Sequence, residues 1–98
     1  MERYLYGVKL AGLPMIKMIE DTSWSIPGWL YIVVEWKGED KYIGGPFSMD
    51  GQYFYARDYF DTLLGIMTQA RDELPRWDME RIFERVFSKA FGMERYIQ

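Results

Sequence analysis

The sequence predicts an α+β fold in which an antiparallel sheet of about four to five strands, in two hairpins, is followed by two C-terminal helices packed on one face. Three observations carry this expectation. The first half of the chain alternates with a period of two between turn residues, the last third repeats its apolar residues every three or four positions, and Pro75 divides that helical third. With 98 residues, the chain has the size of a single domain, so residues 1–98 are expected to share one interior.

The first strand is expected from Arg3 to Leu10, with Tyr4, Tyr6, Val8 and Leu10 on one face and Arg3, Leu5, Gly7 and Lys9 on the other. Ala11-Gly12-Leu13-Pro14 supplies turn chemistry, and Met15 to Glu20 returns as a second strand in which Ile16 and Met18 oppose Lys17 and Ile19. Residues 21–28, which include Trp24 and end in Pro27-Gly28, read as a loop. Trp29 to Lys37 is the strongest strand, and its apolar run from Trp29 to Val34 ends at Glu35, far too short to span a bilayer as a helix. Residues 37–41 read as a polar turn, Tyr42-Ile43 as a resumed strand, and Gly44-Gly45-Pro46 as its interruption. Gln52 to Tyr55 is expected to be a short strand or extended lead-in.

From Tyr59 the residues Phe60, Leu63, Leu64, Met67 and Ala70 fall on one helical stripe, with Asp58 as the expected cap and Asp61 in the first turn. A second helix is expected to be capped by Asp78, to present Met79, Ile82, Phe83, Val86 and Ala90 with Phe87 and Phe91 beside them, and to end at Gly92.

Composition bounds the function. Apolar residues at 49% and aromatics at 18% are enough to build a core. The formal charge of −3 and pI near 4.9 remove the long-range field that draws proteins to phosphate backbones. Neither cysteine nor histidine is present, which excludes disulfides, thiolate nucleophiles, imidazole bases and the usual nitrogen and sulfur zinc sites. The Met1-Glu2-Arg3-Tyr4 start lacks the pattern of a secretory signal, so a cytoplasmic location without membrane association is expected. Gly44-Gly45-Pro46 lacks the spacing and lysine of a phosphate-binding loop.

One spacing looks catalytic. Glu35-Trp36-Lys37 closes an apolar strand and Asp21 lies upstream, a pattern similar to the acid, acid-x-lysine signature of the PD-(D/E)XK nucleases. That resemblance implies a Mg²⁺-dependent nuclease in which Asp21 and Glu35 hold the metal and Lys37 assists the attacking water. A period of two places Glu35 and Lys37 on one face, yet a hairpin of strands two and three sets Asp21 and Glu35 on the order of 20 Å apart. The plainer reading of Glu35 and Lys37 is a solvated strand end, and no catalytic residue, cofactor or metal is assigned on it. Asp58 and Asp61 read as helix-start carboxylates.

A second constellation is basic. Arg81, Arg85 and Lys89 recur every four residues and, with Arg76 and Arg95, form a possible stripe for nucleic acid; Glu80 and Glu84 beside it favour an ordinary solvated face in which Arg81 pairs with Glu84.

The aromatic residues point elsewhere. Eight tyrosines and four tryptophans exceed what a small core buries easily. The plainer account fills one core with Trp29 or Trp36, Tyr4, Tyr6 and the helix phenylalanines, and leaves Trp24 over. The leading expectation is therefore a non-enzymatic protein-binding domain that occupies a partner's surface through Trp24 and the acidic residues Glu35, Glu39 and Asp40. Small, acidic, cysteine-free α+β chains of this kind are frequent among phage-encoded inhibitors of host defence and toxin-immunity proteins, an analogy of size and composition. A homodimer through a sheet edge or the phenylalanine-rich face of helix two is the accompanying expectation, and nucleic acid is the second choice of partner.

Overall fold

In the computed structural model, which describes residues 1–88, four strands and two helices follow in order: β1 (Glu2–Val8), β2 (Ile16–Asp21), β3 (Trp29–Trp36), β4 (Glu39–Ser48), α1 (Tyr53–Glu73) and α2 (Arg76–Ser88). The strands form one antiparallel meander in sequence order. β3 lies between β2 and β4, and its side chains from Leu30 to Val34 are buried on both faces, which accounts for its unbroken apolar run.

The main core lies between the sheet and the helices. Ile16 and Met18 of β2 and Leu30, Ile32 and Val34 of β3 meet Ala56, Phe60 and Met67 of α1 and Met79, Phe83 and Phe87 of α2. The other sheet face carries a smaller cluster of Ile19, Tyr31 and Val33, with Trp29 and Tyr42 packed against it. Among the described residues no helix is long and apolar enough to cross a membrane.

The strand-first, helix-last order matches the expectation, but several boundaries move. A bulge between Tyr4 and Tyr6 reverses the phase of β1, so Tyr4 pairs with Ile19 on the open face while Tyr6 pairs with Met18 on the helix side. Tyr4 is thus exposed and outside the core, whereas the Tyr6 ring meets Phe60 at 5.1 Å. The turn expected over residues 37–41 narrows to Lys37-Gly38, both at positive φ (52° and 80°), the backbone of a two-residue hairpin loop whose twist matches that of its strands.

Gly44-Gly45-Pro46 does not interrupt β4. Ile32 faces Gly44 and Leu30 faces Phe47, so one extra residue bulges out of the ladder, and an edge strand tolerates the missing proline N–H. Gly44 is needed there because a Cβ would come within 2.5 Å of the Tyr59 ring.

α1 begins at Tyr53, six residues ahead of the expected Tyr59, and Gln52 occupies the cap position. Its side-chain Oε1 accepts from the Ser48 N–H at 2.7 Å, which fixes the entry of the helix. Asp58 is therefore an exposed interior residue and not a cap, while Asp61 pairs with Arg57 at 3.6 Å. Asp78 likewise falls in the first turn of α2. The buried stripe of α2 is Met79, Phe83 and Phe87, with Ile82 and Val86 exposed, so the expected face was rotated by about one residue. Ala90, Phe91, Gly92, Lys89 and Arg95 lie outside the described residues.

Candidate functional site

The open face of the sheet takes its shape from cross-strand register. Glu2, Asp21 and Trp29 stand in one row, Tyr4, Ile19 and Tyr31 in the next. Tyr42 reaches across from β4 to donate its hydroxyl hydrogen to Glu2 Oε2 at 2.7 Å, and its ring meets that of Tyr31 edge-on at 5.7 Å. Burial, reinforced by the Glu2 carboxylate, raises the pKa of the Tyr42 hydroxyl well above the usual tyrosine value, so it stays a donor.

At the Trp29 end of this face, Trp24, Trp29, Tyr31 and Pro46 line a shallow depression of about 270 Å³. Trp24 is 57% exposed there. Its loop is held at both ends. The Ser23 N–H donates to Asp21 Oδ1 at 2.8 Å, the Gly28 N–H donates to Glu20 Oε2 at 3.2 Å, and the Met49 N–H donates to the Gly28 carbonyl at 3.1 Å. Glu20 is a buried carboxylate fixed from the other side by Arg3 at 2.6 Å. Gly28 has no room for a side chain, since a Cβ would lie 2.5 Å from the Asp21 carbonyl oxygen. The hydrogen bond from Ser23 holds the Asp21 carboxyl below its ordinary range.

The acidic residues expected to join Trp24 lie elsewhere. Asp21 pairs with Trp29, and Glu35 sits six residues further along β3, on the order of 20 Å away. Glu35 and Asp40 face each other across β3 and β4, and Lys17 bridges them at 3.3 and 3.1 Å. Partial burial of Lys17 works against its charge, but Asp40 and Glu35 outweigh it and raise its pKa. Glu39 pairs with Lys41 at 2.9 Å, and that ammonium lowers its pKa.

The geometry does not suit the magnesium that the nuclease resemblance implies. Asp21 and Glu35 are too far apart to share an ion, and among the described residues no group of three carboxylates is placed to hold one. Nor do Glu35 and Lys37 share a face. Lys37 has left the strand for the turn, and its Nζ lies 2.7 Å from Glu84 Oε2 on α2.

A second concavity, about 680 Å³, lies between the Gly12–Pro14 turn, the end of β3 and α2, with Trp36 and Trp77 in its wall. The Trp36 ring N–H donates to Glu84 Oε2 at 2.8 Å, and the Trp36 ring meets Phe83 and Phe87 at 6.1 and 5.3 Å. Lys37 and then Trp36 lower the pKa of Glu84. The expected Arg81–Glu84 pair is thus replaced, because β3 and its turn draw Glu84 toward the sheet while Arg81 turns to Asp78 at 3.5 Å and to the Trp77 ring at 5.5 Å.

Of the basic stripe, Arg76 pairs with Glu80 at 2.8 Å, while Arg81 and Arg85 line one small depression with Ile82. Charges around the larger concavity largely satisfy one another.

Sequence reasoning found Trp24 but missed Trp29, Tyr31 and Pro46 beside it. The available signal was the aromatic content of the odd-numbered positions of β3, which a strand places on the face opposite Leu30, Ile32 and Val34. No family model matches the chain, and neither a curated protein nor a solved structure matches it at a significant level.

Proposed function

We propose that this chain is a non-enzymatic protein-binding domain that acts by occupying a partner's surface, with Trp24 as its anchor. The observation that carries the reading is a large exposed indole on a loop pinned at both ends. Such a ring buries much area on contact and has little conformational freedom left to lose. Trp29 and Pro46, over the buried Tyr31, extend the apolar contact around it. Glu35, Glu39 and Asp40 contribute charge at the far end of the hairpin, already engaged with lysines. Action by occupation is also how a phage-type inhibitor of host defence or an immunity-type protein works, and the reading extends to that class by analogy of size and charge.

Affinity recovery from the lysate of the producing cell tests it, with wild type and Trp24→Ala in parallel and with nuclease-treated and untreated samples. A protein recovered in both treatments and lost with Trp24→Ala is the expected result. Recovery that vanishes with nuclease, or no dependence on Trp24, overturns the reading.

A second copy of the chain is the further partner in this reading. The Phe83 and Phe87 side of α2 is consumed by packing on Trp36, which leaves the β1 and β4 edges of the sheet. A mass that rises with concentration in sedimentation supports self-association, and a constant monomer mass removes it.

A further inference from the structure

We infer that the segment docking on the Trp24 depression is an extended, proline-rich stretch of a partner protein flanked by basic residues. The inference rests on the protein-binding reading and names the chemistry that the surface selects.

Trp29 and Tyr31 belong to β3, whose ladder is filled on both sides by β2 and β4, so the depression offers an incoming chain no free strand there. At its rim Pro46 lacks an N–H and sits in the bulged part of the β4 edge. A peptide gains nothing here by adding as a strand. A polyproline II segment has no internal hydrogen bonds and is already extended in the free state, so it loses little on binding.

A depression of about 270 Å³ walled by Trp24, Trp29 and Pro46 over the buried Tyr31 is too small and shallow for the stripe of a helix, but it suits one or two pyrrolidine rings laid against the two indoles.

Register puts Glu2, Asp21, Glu35 and Asp40 on this face against Lys17 and the Met1 amino group, so the face is negative. Aromatic rings on an uncovered sheet face also suit single-stranded bases. A phosphate chain would meet the carboxylates of Glu2 and Asp21 beside Trp29, whereas arginines or lysines flanking a proline run meet their complement.

The test follows the indole N–H signals of Trp24, Trp29, Trp36 and Trp77 by NMR in the full chain. The probes are an oligoproline peptide flanked by arginines, the same peptide flanked by glutamates, an arginine-flanked glycine-serine peptide and oligothymidylate. The expected result is a saturable shift of Trp24 and Trp29 alone with the arginine-flanked oligoproline, at a dissociation constant below about 1 mM. The glutamate-flanked peptide should bind about ten-fold more weakly or worse, and the glycine-serine peptide not at all. Trp24→Ala should abolish the Trp29 shift, and Trp24→Phe should retain part of it.

If no oligoproline peptide moves these signals while Trp24-dependent protein recovery persists, the proline inference falls and the protein-binding reading stands. If neither is seen, both fall. A shift with oligothymidylate alone overturns both in favour of nucleic acid.

Discussion

Glu35 and Asp40 stand directly opposite each other across β3 and β4, two carboxylates in register, and the ammonium of Lys17 lies 3.3 Å from one and 3.1 Å from the other. Like charges so placed repel, and the lysine turns a destabilising pair into a three-centre ion cluster. Lys17 is itself opposite the fully buried Val33, so its methylene stem is part of the sheet surface.

Lys17→Met keeps that stem and removes the charge. Because both carboxylates are partly exposed, the expected cost at neutral pH is only about 1 kcal/mol. The folded pKa of Lys17 is raised, so its contribution in the wild type is complete below about pH 10.4 and is lost as pH rises through the higher folded value. Urea unfolding of both proteins across that range measures this. Equal stability at pH 7 would show the cluster to be energetically neutral.

Gly44 and Tyr59 are expected to be coupled. A Cβ at position 44 would fall 2.5 Å from the Tyr59 ring, whose hydroxyl donates to the Ile43 carbonyl at 2.5 Å and whose ring lies 5.8 Å from Phe47. Gly44→Ala should destabilise by about 1–3 kcal/mol through overpacking. In the Tyr59→Ala background the same change should cost much less, and a double-mutant cycle from chemical denaturation reads the difference. Additive costs would mean that the ring moves away freely.

Trp36 joins the end of β3 to α2. Its removal in Trp36→Ala takes away the ring against which Phe83 and Phe87 pack, with an expected cost of about 3 kcal/mol. Trp36→Phe should retain most of that packing and lose the ring N–H bond to Glu84. Thermal unfolding of the two variants ranks them.

Glu84 gives the same contact a pH signature. Lys37 and Trp36 depress its folded pKa, so its contribution is present above the unfolded value of about 4.3 and is lost as pH falls through the lower folded one. Glu84→Gln should flatten that part of the acid unfolding curve. An unchanged curve would show that the carboxylate does not act through Lys37.

Trp24→Ala should separate recognition from stability. The indole is 57% exposed, and the bonds that hold its loop come from Asp21, Glu20 and Gly28. The expected stability change is within about 0.5 kcal/mol, with loss of partner recovery. A large fall in the denaturation midpoint would make Trp24 structural.

The sequence by itself determined the order of the elements, the unbroken apolar run of β3, the buried stripe of α1 beyond Phe60, and the distance between Asp21 and Glu35. These follow from local periodicity, turn chemistry and the fixed rise of a strand, all properties of short stretches of chain. The early start of α1 was also written there, since Tyr53, Ala56 and Phe60 continue its stripe backward, but three aromatic residues in four at 52–55 read as strand.

Tertiary structure decided the rest. The bulge that sends Tyr4 and Tyr6 to opposite faces, the passage of β4 through Gly45-Pro46, the choice of Lys37 and Trp36 over Arg81 as partners for Glu84, and the meeting of Trp24, Trp29, Tyr31 and Pro46 all depend on which residues lie opposite one another. Register is a relation between distant segments, and a shift of one residue exchanges the two faces of a strand. Periodicity within either segment therefore cannot specify it.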